Sequence, residues 1–133
     1  EGPLGEGFRR LRCEVPGPIP WEQLPDEYRA AGVFCLPSLS EGNPKALLEA
    51  MSCAAPCVVS DRVEGVVRHG ETGLVFAAED QRSLLDALRR VLSDRELART
   101  LGAAARRWVA AHHDAGVLMP RELEIVRAAT FKK

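Results

Sequence analysis

The sequence predicts an α/β fold, a parallel sheet with helices on both faces. Three observations carry the prediction. Residues 33–60 read as an apolar run, a tight loop, an amphipathic helix and a second apolar run, the order of a βαβ crossover between parallel strands. A third apolar run, Leu74-Val75-Phe76, follows the turn at Thr72-Gly73. Two later segments then repeat apolar residues at helical spacing.

Each element has its own signals. Residues 1–7 are turn-forming, 8–15 fit a helical turn leading to a short strand, and the prolines at 16, 18 and 20 forbid regular structure. Residues 21–31 read as a helix with Leu24, Tyr28 and Ala31 on one face and Pro25 in its first turn. The run 33–36, closed by Pro37, fits a strand buried on both faces. Asn43 suits an N-cap and Pro44 the first helical position, where a missing N–H costs nothing. Leu47, Leu48, Met51 and Ala55 form the inward stripe, and Pro56 stops the helix before the buried strand Cys57-Val58-Val59. Asp80 or Ser83 caps a helix through Leu92 whose inward residues are Leu84, Leu85, Leu88, Val91 and Leu92. Ser93 and Glu96 form a capping box for a helix to about Ala111, lined by Leu97, Leu101, Ala104, Ala105 and a core Trp108. Residues 120–130 read as a last helix.

The loop at 37–44 lies at the carboxyl end of a strand, where open α/β sheets bind ligands. The unpaired N–H groups at the following helix start, near Lys45 and Ala46, make an anion site. Glu41 precedes that helix and Glu49 lies within it, which sets their carboxylates about 9 Å apart along the axis. Two carboxylates flanking a phosphate-sized site suit a long ligand with hydroxyls at both ends, such as a nucleoside diphosphate sugar.

Glu41 and Glu49, in the setting S-E-G-N-P-x-x-L-L-E-A-M, resemble the E-x7-E signature of the group 1 retaining glycosyltransferases. Val-Phe-Cys-Leu-Pro-Ser before it, Pro-Cys-Val-Val-Ser-Asp after it, and His69-Gly70-Glu71-Thr72-Gly73-Leu74-Val75 further on keep the family's order. The resemblance covers roughly residues 24–110. It implies a Rossmann-like sheet forming part of the C-terminal, donor-binding domain of a GT-B fold. It further implies that Glu41 contacts the transferred sugar near its anomeric end, in the catalytic position. Backbone around Gly42, Asn43, Pro44 and Lys45 would meet the sugar and diphosphate, and Glu49 the ribose hydroxyls. No metal and no resident cofactor are expected; the donor is a substrate, and the acceptor, base and sugar are not readable.

The chain departs from the family in three places. Residues 61–67 replace its Gly-Gly-x-x-Glu loop, with either Glu64 or Gly65 standing for the family's Glu. Ala54 stands near a family Gly, which reads as a mild change. By the resemblance, the first two strands of the domain and the acceptor domain fall outside the chain. The run 33–36 then becomes an open sheet edge, which a neighbouring chain covers unless the sheet is rearranged. The chain alone is therefore expected to transfer no sugar. Two other functions compete: a non-catalytic glycosyltransferase-like module that binds nucleotide or a partner chain, and a nucleotide-sugar epimerase of the same fold.

Composition bounds the rest. The 133 residues make one domain at most, and 46% apolar with 28% charged residues is ordinary for a soluble globular chain. A net charge of −1 gives no reason to expect nucleic acid or an anionic membrane. No apolar run approaches the roughly 20 residues that span a bilayer, and no signal peptide is read at the start. Cysteines that read as free thiols fit a reducing compartment, so a cytoplasmic protein is expected. Cys13, Cys35, Cys53 and Cys57 lack metal-ligand spacing, and Cys35 and Cys57 read as small buried hydrophobes. Trp21 reads as a packed or half-exposed aromatic, with stacking on a base as its sharper role. His69 reads as a turn residue, and a Lys45–Glu49 pair on one helix face is the plain explanation for Glu49.

Overall fold

A computed structural model describes residues 11–42, 44–63 and 65–113. The turn expected over 1–7, Asn43, Glu64 and the helix expected over 120–130 lie outside these residues. The described elements are α1 (Leu24–Ala30), β1 (Phe34–Leu36), α2 (Lys45–Ser52), β2 (Cys57–Ser60), β3 (Leu74–Phe76), α3 (Gln81–Ser93) and α4 (Arg95–His112). The three strands form one parallel sheet in the order β1-β2-β3, with Cys35 beside Val58 and Val58 beside Leu74. The expected α/β architecture is present.

The core divides at β2, where alternate side chains leave opposite faces. Cys57 and Val59 enter a cluster with Leu47, Ala50 and Met51 of α2 and Ala105 and Val109 of α4. Val58 enters the other cluster, with Leu74 and Phe76 of β3, Val91 of α3 and Leu101 of α4. Helices thus cover both faces. All four β2 residues are buried, as expected for a central strand. Strand β1 is corrected: its three residues are only half-buried, because β2 pairs with one side and no strand among the described residues pairs with the other. The strand expected before Pro16 is also absent, since residues 13–20 run without regular structure.

Helix α1 starts at Leu24 rather than Trp21, with residues 21–23 forming a turn and Pro25 inside the first turn. In α2, Leu47, Ala50 and Met51 are buried and Leu48 is half-buried. The helix ends in a Schellman motif: Ala54 N–H donates to the Met51 carbonyl and Ala55 N–H to the Ala50 carbonyl, each at 3.0 Å. Ala54 occupies the left-handed position of that motif, at φ +58°. A Cβ is costly there, so Ala is less mild a replacement for Gly than its size implies. Ala54→Gly is expected to raise the unfolding free energy by up to about 1 kcal/mol, read by chemical denaturation. An unchanged or lower midpoint would count against the strain.

Helix α3 takes Asp80 as its cap, the carboxylate accepting from Ser83 N–H at 3.0 Å. Leu84, Leu88 and Val91 face inward, whereas Leu85 and Leu92 are 45% and 60% exposed, a correction to the expected stripe. Each lies one residue, about 100°, off that stripe. The capping box at Ser93 is corrected as well. Asp94 caps α4, accepting from Leu97 N–H at 3.0 Å, and also closes α3. Ser93 therefore remains in α3, and Glu96 turns to Arg99 at 2.6 Å. Trp108 is half-buried and stacks on His112 with ring centroids 4.6 Å apart. Cys57 is buried, which pushes its thiol up to about 12. Cys35 is only half-buried, another consequence of the edge position of β1.

Candidate functional site

The carboxyl ends of the strands are tied together by polar contacts from short side chains. The buried Ser60 hydroxyl, at the end of β2, donates to the Ser38 carbonyl in the loop after β1. It also accepts from Arg62 N–H at 3.4 Å. Glu41 and Val63 make an isolated parallel bridge, which joins the same two loops a second time. Beside them, Asp61 N–H donates to the Phe76 carbonyl at 2.9 Å, and the Asp61 carboxylate accepts from Ala78 N–H at 3.1 Å. The β2–β3 connection is built with equal care. Thr72 Oγ1 accepts from Arg68 N–H at 2.9 Å, and His69 Nδ1 accepts from Val75 N–H at 2.9 Å. His69 is thus a turn clasp, as the sequence indicates. Gly73 is required by space, since a Cβ there would stand 2.8 Å from the Cys57 carbonyl oxygen.

These ties shape a cavity of about 420 Å³ lined by Leu39, Ser40, Glu41, Gly42 and Arg62. Helix α2 begins beside it. Pro44 is corrected from the first helical position to the N-cap, because its ψ of 76° is not helical while its carbonyl already accepts from Leu48 N–H. Lys45 becomes the first helical residue. Among the described residues no side chain caps this end, and the first-turn N–H groups are the kind of donors that suit an anion.

Glu49 lies on the second turn of α2 and faces a different cavity. About 260 Å³ in volume, it lies between α1 and α2 and is lined by Trp21, Leu24, Pro25, Tyr28, Glu49, Ser52 and Cys53. The Tyr28 hydroxyl donates to Glu49 Oε2 at 3.0 Å, and the Tyr28 ring meets Phe34 edge-on at a centroid distance of 5.8 Å. Burial, then the bond to Glu49, pushes the Tyr28 hydroxyl up to about 12, so it remains a donor at physiological pH. Trp21 is 76% exposed at the mouth of this cleft. Lys45 and Glu49 form no ion pair; the ion pairs among the described residues are Arg29–Asp26, Arg62–Asp61, Arg68–Glu71 and Arg99–Glu96.

The fold therefore groups Glu41 and Gly42 with Arg62, and sets Glu49 apart in an apolar cleft. Sequence reading missed Arg62 beside Glu41 and Tyr28 beside Glu49. Each pairing, one a shared cavity and the other a hydrogen bond, brings together residues about 20 apart in the chain, beyond any local spacing rule. No group of three or more His, Cys, Asp or Glu is placed to hold a metal ion among the described residues. Among them, too, no helix is long and apolar enough to cross a membrane.

Residues 10–108 match the family described as glycosyl transferases group 1. The chain belongs to that family. D-inositol 3-phosphate glycosyltransferase of Kribbella flavida is 40% identical over 91 residues, which cover 66% of this chain and 21% of that protein. Sucrose-phosphate synthase of Thermosynechococcus elongatus superposes with a TM-score of 0.84 at 28% identity, covering 98% of this chain and 34% of its own. HepE of Anabaena, solved in complex with UDP-glucose, superposes with a TM-score of 0.81 over 94% of this chain and 36% of its own. At 19% identity that likeness shows the fold alone. The family and these structures identify the sheet and its helices as part of the Rossmann-like C-terminal domain of a GT-B glycosyltransferase. The chain spans between about a tenth and a third of the curated relatives it matches.

Proposed function

We propose that this chain is the nucleotide-sugar-binding part of a retaining glycosyltransferase, moving a sugar from a nucleoside diphosphate to an acceptor hydroxyl. The observation that carries the reading is the division of the carboxyl edge. A polar cavity lined by Glu41, Gly42 and Arg62 lies in the loop that leads into α2, and a separate apolar cleft on α2 carries one carboxylate, Glu49. A nucleoside diphosphate sugar has this polarity sequence. Its diphosphate falls at the first turn of α2, with Gly42, Asn43, Pro44 and Lys45 as the backbone around it. Its sugar falls toward Glu41 and its ribose toward Glu49. Helix N–H donors and the Arg62 guanidinium then support the leaving diphosphate as charge develops on it, without a metal. Retention at the anomeric carbon follows the family signature at Glu41 and Glu49. Residues 1–133 form part of the donor domain, so transfer requires the acceptor-binding half as well. The family match and the glycosyltransferase name of the Kribbella protein support the reaction class.

Calorimetric titration of uridine, guanosine and adenosine diphosphate sugars into the protein tests the proposal. One donor should bind, and Glu49→Ala should weaken it by about 1.5–3 kcal/mol, the worth of a bond to a charged group. A folded protein that binds none of the three, or a variant that binds as tightly as the parent, would overturn the reading.

A further inference from the structure

The contact that links α1 to the candidate site is the hydrogen bond between Tyr28 and Glu49. Tyr28 sits on α1, Glu49 on α2, and both line the same apolar cleft. Glu49 is an exposed side chain with several rotatable bonds, and an unrestrained carboxylate there samples many orientations. Tyr28 is half-buried, its ring fixed by the edge contact with Phe34 of β1, so its hydroxyl is a fixed point referenced to the sheet. The bond occupies Oε2 at 3.0 Å. Among the described residues, Oε1 accepts no hydrogen bond, and Glu49 is an exposed lining residue of the cleft.

We propose that Tyr28 is a positioning residue for the nucleotide site: it holds Glu49 by one oxygen so that the other meets the ligand's ribose in a fixed orientation. The inference rests on the donor-site reading above and assigns a residue outside the E-x7-E segment. Two features of the structure favour positioning over a purely structural staple. The bonded pair faces an open cleft instead of a packed interface, and the ring already has its packing partner in Phe34 without the hydroxyl. Preorganising a carboxylate removes part of the ordering cost of binding. A tyrosine whose hydroxyl stays protonated can do so across the physiological pH range.

The test is a double-mutant cycle on the purified protein, with calorimetric titration of uridine, guanosine and adenosine diphosphates and thermal unfolding of each variant. Tyr28→Phe keeps the ring and its contact with Phe34, so its unfolding temperature should stay close to the parent's. Affinity for the diphosphate that binds should fall about tenfold. Added to Glu49→Ala, Tyr28→Phe should cause no further loss, since a positioning residue acts only through what it positions. Glu49→Ala losing affinity while Tyr28→Phe binds as the parent does would overturn this inference and leave the donor-site reading standing. Tighter binding by Tyr28→Phe would also overturn it, because Tyr28 would then compete with the ligand for Glu49. Equal losses from Tyr28→Phe in both backgrounds would overturn it as well, because Tyr28 would then act on binding independently of Glu49. If no diphosphate binds the parent, the donor-site reading fails and the inference fails with it.

Discussion

Gly102→Ala is expected to lower the unfolding free energy by about 3 kcal/mol or more, the upper range for overpacking a tight core. A Cβ at Gly102 would stand 2.1 Å from the Ala54 carbonyl oxygen and 3.0 Å from its carbon. The obstructing atoms are backbone, so no rotamer change relieves the clash. Nor can the turn readily withdraw. Ala54 is held by the two bonds of the Schellman motif, and Ala55 is buried against α4 in the same cluster as Ala105 and Val109. Either α4 slides away, opening the cluster that contains Leu47 and Met51, or the end of α2 unwinds. Native stability is typically about 5–15 kcal/mol, so such a loss is a large share of the total. In urea, with a slope of about 1–3 kcal/mol per molar, the midpoint should fall by 1 M or more. A midpoint within about 0.3 M of the parent's would mean that the helices separate at little cost.

That contact also shows where sequence reading reaches its limit. Gly102 sits in a segment whose apolar spacing identifies a helix, and the helix is there; nothing local announces that its glycine touches a turn 48 positions earlier. The strands were legible because each is an apolar run bounded by turn residues. The half-burial of β1 was not legible in its own apolar run, which reads as buried on both faces; only the family resemblance, which left that strand at an open edge, pointed to it. Caps failed by one residue where good capping types are adjacent. Ser93 and Asp94 both fit the pattern, and the structure uses Asp94 because one residue must close α3 and open α4. At the site, the loop–helix order that puts Glu41 in the loop after β1 and Glu49 on α2 is local and could be read directly. The neighbours that give each carboxylate its surroundings, Arg62 for one and Tyr28 for the other, come from other elements. Sequence spacing estimated how far apart the two lie along the helix, but not that they line separate cavities.

Separate cavities make the two carboxylates experimentally separable. On the proposed assignment, Glu41→Gln should lower sugar transfer by about 100-fold or more, the cost of removing one preorganised electrostatic contact at a reacting centre. Affinity for the nucleoside diphosphate should stay within about twofold, because on the proposed assignment Glu41 meets the sugar, which the diphosphate alone lacks, and Glu41 does not line the cleft with Tyr28 and Trp21. Glutamine preserves the side chain's shape, and the loop backbone is held independently by the Glu41–Val63 bridge and the Ser60–Ser38 bond. The substitution therefore tests charge and not loop geometry. Glu49→Ala should show the opposite balance, with its main loss in nucleotide affinity. Steady-state transfer, assayed with the acceptor-binding half present, and titration of the diphosphate alone give the two readouts. Transfer by Glu41→Gln within about threefold of the parent would remove Glu41 from the reacting centre, since the missing charge would then have cost less than about 0.7 kcal/mol of barrier. Markedly tighter diphosphate binding by Glu41→Gln would instead place Glu41 against the phosphates, since removing a carboxylate relieves its repulsion of them.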